Sequence, residues 1–208
     1  MFQKMWNKFP NEDIFILHAD MTPHHDNWFE EVLEYVEKYP EAGMFGCLLL
    51  YPAKDVQDNF LIQSAGGKFT NGTPDHYGSG LIIENKTLFK QELESDTGQY
   101  NSVREVAWTT FGGCYIRRTF IDTVGNFSPE YEWTYNRDVD YCLTAREKGK
   151  KIYQLPVRLM HHESRDNKRI KQIDNSKVAM ESRNLARLQT KWANSKFYKT
   201  LDTEINSG

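Results

Sequence analysis

A chain of 208 residues with 39% hydrophobic residues has the length and apolar content of one folded core, which excludes wholesale disorder and argues against two full domains. Its 26 basic and 29 acidic residues leave a net charge of −3, so the chain as a whole makes no case for nucleic acid. No apolar run reaches the roughly 18–20 residues of a membrane-spanning helix. The three cysteines, Cys47, Cys114 and Cys142, are odd in number and lack CxxC spacing, which supports neither a disulfide framework nor a cysteine zinc site. Met1 to Pro10 lacks the apolar core and cleavage site of a secretory signal, so a cytoplasmic location is expected.

In chain order, Ile14 to Leu17 is a short β-branched apolar run, expected as a buried strand that delivers His18, Ala19 and Asp20 to its C-terminal end. Trp28, Phe29, Val32, Leu33 and Val36 follow helical spacing, with Asn27 and Glu30 as a capping box and Pro40 as the stop. Gly43 to Tyr51 is expected as a second buried strand, making a parallel strand–helix–strand unit whose ligands gather at strand C-terminal ends. Residues 63–80 are rich in glycine, asparagine and proline and are expected as a loop or irregular hairpin. Val103 to Trp108 and Cys114 to Ile116 are expected as strands around Gly112 and Gly113, whose missing Cβ lets backbone approach a ligand or another strand.

A helix is expected from Asp138, with Val139, Cys142 and Leu143 on one face and Gly149 just beyond its end. Ile152–Tyr153 and Val157 to Met160 are expected as short strands divided by Pro156, leading into His161 and His162. A long final helix follows, with Val178, Leu185, Leu188 and Trp192 as its apolar positions. From Lys168 to Lys199, nine Lys/Arg against two acidic residues give this tail a net charge of +7, leaving −10 on the body. The charge is either a solvated face or a peripheral contact with anionic lipid. The expected organisation is a domain over residues 1–165 and a basic helical tail over 166–208.

The acidic and imidazole groups fall into three sets at strand ends or helix starts: His18 with Asp20, Asp138 with Asp140, and His161 with His162. A carboxylate just past a buried strand can hold Mg²⁺ or Mn²⁺, or can cap a turn. Asp138 and Asp140 at a helix start are either N-terminal caps or, kept ionised by the helix dipole, a general base. For His161 and His162 an ordinary core or surface role stands beside metal ligation.

Several segments in fixed order resemble family 2 glycosyltransferases of the GT-A fold, in the branch of rhamnosyltransferase-like enzymes. They are IFILHADMTPHHDNWFEEV (14–32), IQSAGGKF (62–69), HYGSG (76–80), FGGCYIRRTFIDTVGNFSPEYEW (111–133), RDVDYCLTAREKGKKIYQLP (137–156), HHES (161–164) and a closing KW (191–192). The resemblance implies an α/β fold: a partial GT-A-like mixed, mainly parallel sheet flanked by helices, with a C-terminal helical tail. It also implies inverting transfer of a hexosyl or rhamnosyl group, as in polysaccharide biosynthesis. The donor is a nucleotide-sugar, UDP- or dTDP-linked, and the acceptor a hydroxyl of a glycan or lipid-linked molecule.

Carried over residue by residue, Asp20 matches the family's metal and diphosphate ligand, with His18 where Asp or Asn is usual. His161 matches a further metal contact, with His162 as its alternative, and the cofactor is Mg²⁺ or Mn²⁺. Asp138 matches the catalytic base, with Arg137 in place of an acidic neighbour. Trp108, Gly112, Gly113 and Asp140 fall on the acceptor side, and Thr144 stands where arginine is common. Family members place a nucleotide-binding half ahead of the segment that begins here near Phe2. The expectations are therefore a fragment, a second polypeptide that completes the site, or a non-catalytic glycan- or partner-binding remnant. A zinc site built from His18, His24, His25, His161 and His162 lacks HExxH spacing.

Overall fold

The computed structural model describes residues 6–70, 72–84, 88–131, 135–162, 175–195 and 198. In chain order the elements are β1 (Ile14–Ile16), β2 (Met21–Pro23), α1 (Trp28–Lys38), β3 (Ala42–Lys54), β4 (Phe60–Ser64), β5 (Gly67–Thr70), β6 (Thr73–His76) and β7 (Ser79–Glu84). There follow β8 (Leu88–Leu93), β9 (Arg104–Glu105), β10 (Cys114–Ile116), α2 (Arg118–Val124), α3 (Arg137–Glu147), β11 (Lys151–His161) and α4 (Asn175–Trp192). Among the described residues two sheets form, one ordered β1-β10-β3-β11-β2, with β4 on β3 and β9 on β11, the other ordered β5-β6-β7-β8.

The larger sheet is mixed. β3 and β11 pair in parallel, whereas β10 runs antiparallel to both β1 and β3. β1, β3 and β11 therefore point the same way, and their C-terminal ends lie at one edge of the sheet. The expected strand–helix–strand unit is present as β1-α1-β3, but β10 is inserted between its two strands.

Both faces of this sheet are covered, which is why β3 buries nine consecutive residues from Ala42 to Leu50 rather than alternate ones. Side chains still alternate between faces. Met44, Cys114, Ile116 and Ile152 join the cluster that includes Phe120, Tyr141, Leu143 and Trp192 of α2, α3 and α4. Phe45, Tyr115 and Tyr153 join Val32 and Val36 of α1 on the other side. A helix on one face and three on the other is the layering that a doubly apolar sheet requires.

Several expectations need correction. Asn27 does not form a capping box: its φ of 60° is left-handed and its side chain makes no cap bond, because capping geometry needs an extended backbone. Of the two readings of residues 63–80, the hairpin is the one found, as antiparallel β5 and β6 with β7 beyond, and not the loop. Gly72 and Gly78, both with positive φ, sit between strands of the antiparallel β5-β6-β7-β8 sheet, while Gly67 and Gly80 lie within β5 and β7. Only Arg104–Glu105 of 103–108 is a strand. Pro156 does not divide β11, which absorbs it in an irregularity of register between Gln154 and Arg158. α2 had no counterpart in the sequence reading.

On α4, among the residues whose side chains are described, Met180, Asn184, Leu188 and Trp192 are buried, four residues apart; Leu188 and Trp192 are as expected, Leu185 is only partly buried, and the side chain of Val178 lies outside the description. Leu188, Trp192 and Tyr198 share a core cluster with Trp6 and Tyr141. The 165/166 boundary, Lys168 to Asp174, Lys196, Lys199, Glu132, Trp133, Glu163 and Ser164 lie outside the described residues. No helix among the described residues is long and apolar enough to cross a membrane.

Candidate active site

The aligned C-terminal ends of β1, β3 and β11 open on a cleft of about 460 Å³. Its walls also draw on β4, β6, the loop before β10 and the start of α3, through Gln63, His76, Trp108, Gly112 and Asp138. A crevice at strand C-termini is where an α/β sheet leaves backbone ends free to face a ligand.

His18 and His161 line the cleft with Asp20 beside them, and the three bring a ligand atom each within 4.8 Å of one another, the only such group among the described residues. His161 Nε2 lies 3.4 Å from Asp20 Oδ1, and the rings of His18 and His161 are 6.1 Å apart between centroids. Burial and the neighbouring His161 lower the His18 pKa, against an opposing pull from Asp20, so its ring favours the neutral form that carries a ligand lone pair. Two imidazole nitrogens and one carboxylate oxygen fit a divalent cation, and they suit Mn²⁺ better than Mg²⁺, which favours oxygen ligands.

His162 turns away. Its Nε2 lies 2.9 Å from Thr22 Oγ1, and its backbone N–H donates to the Asp20 carbonyl at 2.8 Å, pinning the turn that presents Asp20. His24 packs edge-on against Phe60, and His25 contacts Glu31 at 3.0 Å, so neither joins the group.

Asp138 sits in the first turn of α3 and lines the same cleft. Burial pushes its carboxyl up to about 6, although backbone amides, Val139 N–H at 2.9 Å among them, pull the other way. The helix dipole was expected to favour the ionised form of Asp138, whereas desolvation outweighs the local dipoles and raises its pKa. The outcome is a carboxylate that is deprotonated near neutrality and more basic than an exposed one.

The remaining expected residues divide. Trp108 and Gly112 line the cleft. A Cβ on Gly112 would lie 2.4 Å from Met21 Cε and 3.3 Å from His18 Nδ1, so the bare backbone makes room for the imidazole. Gly113 has φ +69° and packs under Leu159, whose Cδ1 would lie 2.5 Å from an added Cβ; its role is in the core. Asp140 is also a core residue, 2% exposed. Its Oδ1 accepts the Trp192 indole N–H at 2.9 Å and the Tyr131 hydroxyl at 3.1 Å, with Lys191 Nζ 2.7 Å away. Two residues along a helix is about 200° of rotation, which turns Asp140 from the cleft when Asp138 faces it. Thr144 donates its hydroxyl to the Asp140 carbonyl within α3.

Sequence reasoning assigned no role to His76 and Gln63, although both lie in the quoted segments IQSAGGKF and HYGSG. His76 is held neutral by burial, its pKa lowered to about 4. Its Nδ1 meets Ser64 Oγ at 2.9 Å while its ring abuts Trp108 at 4.7 Å. Gln63 Oε1 lies 2.6 Å from His161 Nδ1. The signal for both was a turn-rich stretch whose pairing, β4 with β3 for Gln63 and β6 with β5 for His76, is not visible in the sequence.

No protein-family model matches the sequence, and no curated protein matches it. Among solved structures, the chain is similar to GalNAc-T7, a GT-A glycosyltransferase crystallised with UDP, GalNAc and Mn²⁺, with a TM-score of 0.57 over 90% of this chain. The chain has a GT-A-like fold. Identity is 13%, and the match spans 32% of the GalNAc-T7 chain, so the likeness concerns architecture. The expected mixed α/β sheet flanked by helices is thus found.

Proposed function

We propose that the chain carries the catalytic side of an inverting, metal-dependent glycosyltransferase of the rhamnosyltransferase-like branch, acting on a nucleotide-sugar and a glycan or lipid-linked hydroxyl. The observation that carries this reading is that a basic carboxylate, Asp138, lines the same cleft at the strand C-termini as His18 and His161, the two imidazoles that gather with Asp20. His18, Asp20 and His161 would hold Mn²⁺ or Mg²⁺, which when bound offsets negative charge on the donor diphosphate.

Asp138 would take the proton of the acceptor hydroxyl as its oxygen bonds to the anomeric carbon. The bond from that carbon to the diphosphate breaks on the opposite face, the nucleoside diphosphate leaves, and configuration inverts. A general base of this kind contributes roughly 10²–10⁴-fold. Trp108 and His76 would form the wall against which the sugar lies.

Calorimetry with UDP- and dTDP-sugars, with and without Mn²⁺, followed by product analysis with glycan acceptors, tests the proposal. Mn²⁺-dependent donor binding with transfer supports it. Glycan binding without nucleotide-sugar binding would replace it with the reading of a non-catalytic module.

A further inference from the structure

Gln63 occupies an irregular place in β4. Leu50 pairs with Ile62, but Leu49 pairs with Ser64, so one more residue has entered β4 than β3 supplies, and Gln63 is that residue. A bulge of this kind re-aims a side chain that regular alternation would send elsewhere. Here Gln63 reaches into the cleft, and its backbone carbonyl is held by the Ser79 hydroxyl at 2.6 Å. Its side-chain oxygen stands 2.6 Å from His161 Nδ1.

A carbonyl oxygen only accepts, so the proton of this bond belongs to His161 Nδ1. In the neutral ring the other nitrogen, Nε2, then carries a lone pair, and that nitrogen is the one 3.4 Å from Asp20 Oδ1. Without Gln63, Asp20 would draw the single ring proton to Nε2 and close the nitrogen to any ligand. We propose that Gln63 is a positioning residue: placed by the β4 bulge, it fixes the His161 tautomer so that Nε2 faces Asp20 and His18 as a cation ligand. This rests on the metal role given to His161 above. Outer hydrogen bonds of this type tune metal affinity by about 10–100-fold.

The test uses the full chain and two variants of similar size, Gln63→Met, which removes the acceptor, and Gln63→Glu, which keeps it. Long-range ¹H–¹⁵N spectra of the metal-free protein report the His161 tautomer, with His161→Asn identifying the signal, and calorimetry with MnCl₂ alone reports affinity. The expected result is an Nδ1-protonated ring in the wild type and Gln63→Glu, and a shift to the Nε2-protonated ring in Gln63→Met. Mn²⁺ binding should weaken about tenfold in Gln63→Met and be retained in Gln63→Glu. An Nε2-protonated ring in the wild type, an unchanged tautomer in Gln63→Met, or equal Mn²⁺ affinity in all three proteins would overturn the proposal. Absence of Mn²⁺ binding by the wild type, alongside the expected tautomer shift, would overturn the metal reading of the cleft instead.

Discussion

Trp192 donates its indole N–H to Asp140 Oδ1 at 2.9 Å, joining the last helix to the one that carries Asp138. Lys191 adds a charge to the same carboxylate, and Asn184, fully buried, donates to the Tyr135 carbonyl at the rim of the cleft. Trp192→Phe keeps the apolar packing and deletes a bond to a buried carboxylate, so unfolding in urea should show a loss of about 1.5–3 kcal/mol. Lys191 is 40% exposed, and Lys191→Ala should cost under about 1 kcal/mol.

Asp138→Asn should abolish transfer, by roughly 10²–10⁴-fold, while leaving donor affinity within about twofold. In the wild type kcat/KM should rise with pH and level off above about 6, where the carboxyl has lost its proton. The same burial has a stability consequence. Because the folded pKa is raised, the wild type is penalised as pH climbs from the ordinary carboxylate range through about 6. Asp138→Asn should therefore raise Tm at pH 8 by about 3–6 °C and leave it nearly unchanged at pH 4, as differential scanning calorimetry would read.

His76 has the opposite sense. Its folded pKa is lowered to about 4, so its contribution is complete above the unfolded value near 6.5 and is lost as pH falls toward 4. His76→Asn should flatten that part of the acid-denaturation curve, and a slope equal to wild type between pH 6.5 and 4 would contradict the assignment.

His161→Ala and His162→Ala should separate cleanly in Mn²⁺ calorimetry. The first removes a ligand and should weaken binding more than tenfold, in line with the cost of losing even outer contacts. The second, whose ring faces Thr22, should stay within about threefold.

Gly112→Ala places a methyl group against Met21 Cε and His18 Nδ1. The flexible methionine end can give way, while the imidazole is displaced from the cation group. Mn²⁺ affinity should drop several-fold with an unchanged circular dichroism spectrum.

The His18, Asp20 and His161 part of this candidate site was legible in the chain because these groups stand just past apolar runs. Ile14 to Leu17 announces His18 and Asp20, and Val157 to Met160 announces His161. The choice between His161 and His162 was not legible, since neighbours at a strand end differ only in direction, and direction depends on Thr22 and Gln63 from other strands. Spacing alone left Asp138 and Asp140 at one helix start, and only the resemblance singled out Asp138; that Asp140 turns to the core depends on Trp192 and Lys191 from far along the chain. The raised Asp138 pKa follows from burial, which local spacing does not encode. The small sheet was hidden by its own turns, because strands as short as β5 and β6 carry too few residues to display alternation.

β1 gains its place in the large sheet only through β10, since Ile14 to Ile16 pair with Ile116 to Cys114. The segment that bears His18 and Asp20 therefore needs a strand far along the chain before it can settle, and His161 lies further along still. Non-local pairing of this kind slows assembly. The end of the cleft that gathers His18, Asp20 and His161 therefore takes shape only once β10 and β11 have both been made, and a nascent chain halted before residue 116 would leave uncovered the flank of β3 that β10 occupies.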